Sequence, residues 1–223
     1  MKVAVLFSGG KDSVMALNKA LEKFEVKTLV SVFPKSPASY MFHYPNVRIT
    51  EMQAEAMGIP IVTKVTEEGV ERELEDLESV LGSITGIGGV VSGALASKYQ
   101  RDRIDRIAGK LGIKSLAPLW GIDLEEYWNS ILELGFKVII TGVACEGLGK
   151  GWLGREIDRE SFEELKKLSR KHKFHLGGEG GEFETLVLDG PIFRKRIKIT
   201  ESETEWDSKT QSGLFIVKRA RLA

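Results

Sequence analysis

The chain has 223 residues, a mass of 24.7 kDa, and 32 basic against 32 acidic side chains. A chain of this length buries about 70–75% of its surface on folding, so no disulfide or metal is needed for stability. Its 42% apolar and 29% charged residues exclude global disorder. The zero net charge excludes an overall positive field and argues against a nucleic-acid partner, although a local basic patch stays open.

The cysteine count and the apolar runs indicate a compartment. Cys145 is the single cysteine, which excludes an internal disulfide and a Cys-based zinc site and fits a reducing environment. No apolar run approaches the roughly 18 residues of a membrane span, and the amino terminus turns into glycines too soon for a signal peptide. We therefore predict a cytoplasmic protein. The balance of 20 Lys and 24 Glu against three Asn and three Gln predicts a thermophilic source.

The first part of the chain alternates short β-branched runs with longer amphipathic stretches. Runs such as VAVLF and LVSVF are apolar at every position, which is typical of strands covered on both faces by crossover helices. The pattern predicts a doubly wound, mainly parallel, Rossmann-like α/β sheet. Its predicted strands lie at residues 2–7, 28–33, 60–65, 89–92 and 115–118, and its predicted helices at 12–24, 47–57, 67–81 and 97–111.

Beyond residue 121 the rhythm changes. A predicted helix at 124–134 and a predicted strand at 137–143 precede a glycine-rich segment, and a charged helix is predicted at 159–171. The rest reads as strand, turn and strand, at 185–188, 194–201 and 213–219, which favours antiparallel pairing. We therefore predict two domains, residues 1–124 and a smaller α+β domain at residues 125–223, with a boundary near 122–126.

The most informative segment follows the first predicted strand. It is the SGGKDS loop, residues 8–13, at the point where a parallel strand ends and a helix begins. Glycines let the backbone approach an anion closely, and the helix dipole and a lysine add positive potential. The loop lacks the spacing of GxxxxGK[ST] and of GxGxxG. The alternative is an ordinary strand-to-helix turn. The predicted phosphate-binding residues are Ser8, Gly9, Gly10, Lys11, Asp12 and Ser13, with Lys11 also catalytic and Asp12 in a capping or magnesium-linked role.

SGGKDS resembles the PP-loop of the N-type ATP pyrophosphatases, a superfamily of adenylating enzymes. The resemblance implies that the loop holds the pyrophosphate portion of Mg²⁺-bound ATP and that AMP and pyrophosphate are released. It also implies that the adenosine lies over the ends of the first two strands. This would place Val32 and Phe33 near the base.

Four further segments narrow the resemblance. SYMFH at 39–43, GALASKYQRDR at 93–103, LAPLW at 116–120 and above all GEGGEFET at 178–185 are similar to the diphthine–ammonia ligase family, over nearly the whole chain. The resemblance implies that ATP activates the carboxylate of diphthine, a modified histidine on translation elongation factor 2, and that ammonia converts it to an amide. The implied partners are elongation factor 2 carrying diphthine and ammonium.

The GEGGEFET loop, residues 178–185, crowds three carboxylates into a short glycine-rich segment, which is unfavourable without a cation. Mg²⁺, ammonium and the quaternary ammonium of diphthine are the available cations. We predict that one carboxylate orients ammonium and accepts its proton while another faces the trimethylammonium group. A solvated acidic hairpin is the alternative. The predicted substrate-binding residues here are Glu179, Gly180, Gly181, Glu182, Glu184 and Thr185, with Glu182 and Glu184 also catalytic.

Two other segments contribute candidates. His43 follows the second strand among aromatic residues, and either packs there or lines the ligand crevice, where we assign it a catalytic and Tyr40 a substrate-binding role. Gly93 and Ser97 fit a second strand-to-helix turn near the nucleotide. Around that turn we predict substrate contacts from Tyr99, Gln100 and Arg103. The alternative for Arg103 is an ordinary surface charge.

Two rival functions stay open. A tRNA-modifying PP-loop ATPase would be expected to carry a basic face, for which the cluster at residues 166–173 is a candidate, although a solvated helix is the simpler interpretation. A non-catalytic sensor that binds adenine nucleotides would share the loop but not the chemistry. The oligomeric state is open, and a homo-oligomer is one alternative.

Overall fold

The structure is a computed structural model that describes residues 1–34, 48–67 and 69–223, and it divides into two compact units, Met1–Gly121 and Ile122–Ala223. Tyr40 and His43 lie outside the described residues. The first unit contains β1 (Lys2–Leu6), α1 (Lys11–Leu21), β2 (Glu25–Pro34), α2 (Arg48–Met57), β3 (Ile61–Thr66), α3 (Val70–Ser83), β4 (Gly89–Val91), α4 (Lys98–Leu111) and β5 (Lys114–Leu116).

The first sheet is parallel throughout and has the order β3-β2-β1-β4-β5. The chain moves outward from β1 to β3 and then returns to place β4 on the other side of β1. Because parallel crossovers are right-handed, this reversal puts α1 and α2 on one face of the sheet and α3 and α4 on the other. The prediction of a doubly wound α/β sheet is therefore confirmed. The reversal makes the gap between the ends of β1 and β4 the switch point, where open α/β sheets bind ligands.

The burial of β1 explains its unbroken apolar run. Val3, Ala4 and Val5 have no exposed surface, so both faces of the strand are covered. Ala4 joins the core formed with α3 and α4, to which those helices contribute Leu77, Val80, Leu81, Ile104, Ile107 and Ala108. Helix α1 contacts β1, β2 and β4 and buries Val14, Met15, Leu17 and Ala20.

The second unit contains α5 (Leu124–Glu133), β6 (Lys137–Val143), α6 (Arg159–His172), β7 (Phe183–Asp189), β8 (Ile197–Asp207) and β9 (Ser212–Leu222), with a 3-10 turn at Lys150–Trp152. Its strands pair antiparallel in the order β7-β6-β9-β8, which confirms the smaller α+β part of the fold. The indole of Trp128 is fully buried, donates to the carbonyl of Leu176 at 2.9 Å and stacks at a tilt on Phe162.

Two local features of this unit shape its surface. Asp158 caps α6 through a capping box with Ser161, in which each side chain bonds the other residue's amide at 2.8 Å. The long β8–β9 hairpin is joined to β6 only near its turn, where Gly213 and Leu214 pair with Val143 and Gly142.

Among the helices that the structure describes, none is long and apolar enough to cross a membrane.

Candidate active site

The SGGKDS loop begins one residue after the end of β1 and runs into α1, as the sequence predicts. Gly9 has a φ of +80°, a left-handed conformation that glycine adopts without steric cost. Gly10 is the N-cap of α1, and no side chain caps the helix there. The predicted capping role of Asp12 is therefore not observed, because Asp12 lies within the first turn. The amides at the start of a helix have no partner within the helix, which suits an anion.

The hydroxyl of Ser13 is the centre of the loop. It accepts the amides of Ser8 at 3.2 Å and Gly9 at 3.1 Å, and it donates to the carbonyl of Gly10 at 3.0 Å. Since that donation uses its one proton, Ser13 shapes the loop in this arrangement. Gly10 donates more weakly, at 3.4 Å, to the hydroxyl of the exposed Ser8.

Lys11 supplies the positive charge of the loop. Lys11 is only 4% exposed, and its ammonium lies 2.9 Å from the carboxylate of Asp12. A buried charge is stable only when paired, so the interaction with Asp12 helps to hold the lysine in place. The Asp12 side chain is 30% exposed, which leaves part of its carboxylate accessible.

A second loop meets the SGGKDS loop at the switch point. A Cβ placed on Gly93 would lie 2.7 Å from the carbonyl carbon of Asp12 and 2.9 Å from the amide nitrogen of Ser13. Glycine is thus required for the segment after β4 to approach the start of α1 so closely. Gly93 is brought together with the predicted phosphate residues.

Helix α4 starts just beyond this point. Ser97 is its N-cap and accepts the amide of Gln100 at 3.3 Å. The guanidinium of Arg103 lies 3.1 Å from the ring centroid of Tyr99 and donates to the Tyr99 carbonyl at 3.1 Å. Arg103 therefore occupies one face of Tyr99, which is 49% exposed.

The two residues expected near the base differ in exposure. The side chain of Val32 is buried in the core under α3, so only the backbone of this residue is available to contact a base. Phe33 is only partly buried. Both are at the carboxyl end of β2, next to β1 in the sheet.

A residue that sequence reasoning missed touches the SGGKDS loop from α2. Gln53 has no exposed surface, and its side-chain amide donates to the carbonyl of Gly9 at 2.9 Å. A weak signal was available, because Gln53 lies four residues after the buried Ile49 and so on the buried stripe of the helix.

The GEGGEFET loop, in the second unit, is organised by Glu182. Its carboxylate accepts the amide of His175 at 2.9 Å and that of Gly180 at 2.8 Å. Gly178 has a φ of +74°, and a Cβ there would lie 2.8 Å from the carbonyl oxygen of Phe183. Glu182 thus builds the loop around its own negative charge.

The other carboxylates of this loop, Glu179 and Glu184, are partly buried, as is Thr185. Glu184 lies on β7 opposite Gly142 of β6, and the glycine leaves room for its side chain. Gly181 has a φ of +83° and continues the turn that Gly180 enters.

Cys145 lies close to this loop but is not a nucleophile at neutral pH. Burial, and secondly the charge of Glu182, raise the pKa of the Cys145 thiol to about 11. The thiol therefore stays protonated, and only the thiolate is strongly nucleophilic. Among the described residues, no group of three His, Cys, Asp or Glu side chains is placed to hold a metal ion.

The parallel sheet and the SGGKDS loop at its switch point define the first unit as an α/β domain of the PP-loop class. Family models match almost the whole chain: the diphthamide synthase N-terminal domain at residues 1–115 and the C-terminal domain at residues 123–223. The chain therefore belongs to the diphthamide synthase family, a family of enzymes.

Several proteins that are similar to this chain are named diphthine–ammonia ligase. The diphthine–ammonia ligase of Schizosaccharomyces pombe is 34% identical over 91% of this chain, which spans only 37% of that protein. The diphthine–ammonia ligases of Mus musculus and Danio rerio are each 32% identical, over 91% and 92% of this chain and 84% and 88% of their own lengths. A solved structure, of a predicted subunit of tRNA methyltransferase from Methanocaldococcus jannaschii, is 15% identical with a TM-score of 0.46, over 86% of this chain and 98% of that one.

Proposed function

We propose that this chain is an ATP-dependent amide-forming ligase. It adenylates the carboxylate of diphthine on translation elongation factor 2, transfers ammonia to give diphthamide, and releases AMP and pyrophosphate. The observation that carries the proposal is the SGGKDS loop at the switch point of a chain whose relatives are named diphthine–ammonia ligase. We further propose a cytoplasmic reaction, in which residues 1–124 bind ATP and residues 125–223 bind the substrate.

The chemistry needs activation because a carboxylate is a poor acyl donor. A carboxylate oxygen attacks the α-phosphorus of ATP, and the bond to the bridging oxygen breaks as pyrophosphate leaves. Ammonia then attacks the acyl carbon of the acyl-adenylate. AMP departs with the former carboxylate oxygen, and the extra proton of the nitrogen passes to a base. The enzyme supplies positioning and charge stabilisation.

In the SGGKDS loop, the buried ammonium of Lys11 and the amides at the start of α1 would stabilise the departing pyrophosphate. Mg²⁺ commonly binds through one or two carboxylates together with substrate phosphates. The partly exposed carboxylate of Asp12 fits such a site. Ser8, Gly9, Gly10 and Ser13 complete the proposed phosphate site, with Gly93 and Ser97 beside it and Val32 and Phe33 near the base.

In the GEGGEFET loop, we propose that Glu182 and Glu184 handle the cationic groups of the reaction, ammonium and trimethylammonium. The amides of His175 and Gly180 donate to the carboxylate of Glu182 and hold it in position. A carboxylate held in this way can attract a cation and accept a proton. Glu179, Gly180, Gly181 and Thr185 are proposed to complete the substrate contacts, together with Tyr40, His43, Tyr99, Gln100 and Arg103.

The decisive experiment labels the diphthine carboxylate with oxygen-18. Incubation with ATP, Mg²⁺ and ammonium should transfer one label to AMP, and the factor should lose mass as an amide replaces the acid. Label found only in orthophosphate, or ADP as the product, would contradict adenylation. Binding of ATP without turnover would favour the sensor, and salt-sensitive binding of tRNA would favour the tRNA-modifying alternative.

The catalytic assignments need a separate test. Glu182→Ala and Glu184→Ala should still bind ATP, because the proposed nucleotide site lies in the other unit, but should turn over far more slowly. Normal turnover by both variants would reject their catalytic role. Glu133→Gln, at an exposed position that ends α5, is the matched control and should keep full activity.

A further inference from the structure

Gln53 lies outside the SGGKDS loop and donates a hydrogen bond to a backbone carbonyl of that loop. It lies in the middle of α2, has no exposed surface, and reaches 44 positions back in sequence to the carbonyl of Gly9. Burying an amide side chain costs free energy unless it is hydrogen-bonded, and an apolar side chain of similar size would fill the same space at lower cost. The hydrogen bond to Gly9 therefore calls for a reason beyond packing.

Gln53 and Gly9 also fit each other sterically. A Cβ placed on Gly9 would overlap the Oε1 atom of Gln53, so the side chain fills the space that glycine leaves open. The left-handed φ of Gly9, +80°, sets the turn that brings its carbonyl to Gln53. The loop is thus held from the side of α2 as well as from within by Ser13.

The planar peptide bond carries this restraint to the next amide. In a trans peptide, the carbonyl of one residue and the N–H of the next point in opposite directions. Since Gln53 fixes the carbonyl of Gly9, it also fixes the direction of the Gly10 N–H, away from α2. That N–H lies 3.4 Å from the hydroxyl of Ser8, longer than the usual distance of about 2.9–3.0 Å, so a phosphate oxygen can displace this weak bond.

We propose that Gln53 is a positioning residue for the phosphate-binding loop: it draws the Gly9 carbonyl away from the anion and aims the Gly10 amide at the pyrophosphate portion of ATP. This inference rests on the proposed function, in which the loop binds ATP. Without Gln53, the Gly9–Gly10 peptide can rotate and present a carbonyl oxygen to the phosphate. Gln53 acts through the loop and touches no reacting atom.

The test compares Gln53→Met with the neighbouring variant Ala54→Gly. Methionine preserves volume but cannot donate to Gly9, whereas Ala54→Gly loosens α2 and leaves that hydrogen bond in place. Calorimetric titration with inorganic pyrophosphate should show affinity about tenfold weaker for Gln53→Met and unchanged for Ala54→Gly. In amide-resolved NMR spectra, the Gly10 signal should shift on adding pyrophosphate to the wild type and shift much less in Gln53→Met.

The outcomes separate this inference from the proposed function. If the wild type binds neither pyrophosphate nor ATP, both are overturned. If the wild type binds and Gln53→Met binds equally well, or if Ala54→Gly loses affinity in parallel, only the role of Gln53 is overturned. Should Gln53→Met fold poorly, Gln53→Leu also removes the donor and adds no charge at this buried position. It should show the same loss of affinity, and wild-type affinity would refute the proposal.

Discussion

Two glycine-rich loops, one in each unit, satisfy their backbone amides with different chemical groups. In the SGGKDS loop, two amides donate to the neutral hydroxyl of Ser13. In the GEGGEFET loop, the amide of Gly180 and the nearby amide of His175 donate to the carboxylate of Glu182. The first loop therefore satisfies these two amides without a negative charge, in keeping with the phosphate site that we propose, whereas the second is built around a carboxylate. A similar density of glycine can thus prepare a site for opposite charges.

The largest effect is expected from Gly9→Ala in the first loop. Alanine must adopt a left-handed φ and its Cβ overlaps Gln53, so we expect the free energy of unfolding to fall by about 2–4 kcal/mol and ATP binding to be lost. Chemical denaturation and calorimetry measure both. Gly109→Ala is the control: its Cβ has open space on α4, and it should stabilise the protein by about 0.5–1 kcal/mol. Equal behaviour of the two variants would refute the description of the loop.

Gly178→Ala applies the same change to the second loop. The left-handed φ and the contact with the Phe183 carbonyl should cost about 2 kcal/mol of stability, measured by denaturation. ATP affinity should be retained, in contrast to Gly9→Ala. Gly151→Ala, where a Cβ meets nothing within 4 Å, is the matched control. If Gly178→Ala folds normally but no longer binds ATP, the assignment of the anionic nucleotide to the first loop and of cations to the second would be wrong.

Glu182→Gln removes the internal anion while keeping its shape. One side-chain atom must now present N–H to a backbone N–H, so we expect a loss of about 1–2 kcal/mol in the free energy of unfolding. Glu133→Gln, at its exposed position, should stay within about 0.5 kcal/mol of wild type. Unchanged stability of Glu182→Gln would mean that the carboxylate does not organise the loop.

The smallest effect concerns the reactivity of Cys145. Because the pKa of the thiol is raised to about 11, its alkylation by iodoacetamide should be slow at neutral pH and should rise about tenfold per pH unit towards pH 11. The folded state holds this proton more tightly than the unfolded state, whose thiol has its ordinary pKa near 9.0, so the stability it contributes is lost as pH rises from 9 to 11. Glu182→Gln should speed alkylation at pH 8. An unchanged rate would contradict an ionised Glu182 near the thiol.

Local patterns predicted most of the fold. The strand at 137–143 and the helix beginning at 124 have the predicted limits, because apolar periodicity depends on a few neighbouring residues. The strands at the end of the chain were predicted too short. Strand β8 is mostly exposed, and five of its 11 residues are charged, so most of it lacks the alternation of apolar and polar residues that marks a strand. The pairing of β6 with β7 and β9 joins strands that are far apart in the sequence, so local patterns could not predict it.

The candidate site was predictable where one segment carries it. The SGGKDS loop was predicted from its local sequence motif and from its position after a predicted strand. Gln53 was missed because its role depends on a contact across 44 positions, and the burial of Lys11 was missed because tertiary packing determines it. The internal role of the Glu182 carboxylate follows from the folding of the GEGGEFET loop back onto His175, which composition does not reveal.

The attachment of the β8–β9 hairpin near its turn has a consequence for backbone dynamics. Gly213 and Leu214 are bonded into the four-stranded sheet, whereas the ends at Ile197 and Leu222 pair with each other. A two-stranded ribbon is only marginally stable in water. Deuterium should therefore replace amide hydrogens slowly at Gly213 and Leu214 and faster towards the carboxyl terminus, so that this hairpin is most protected in the strand residues next to its turn.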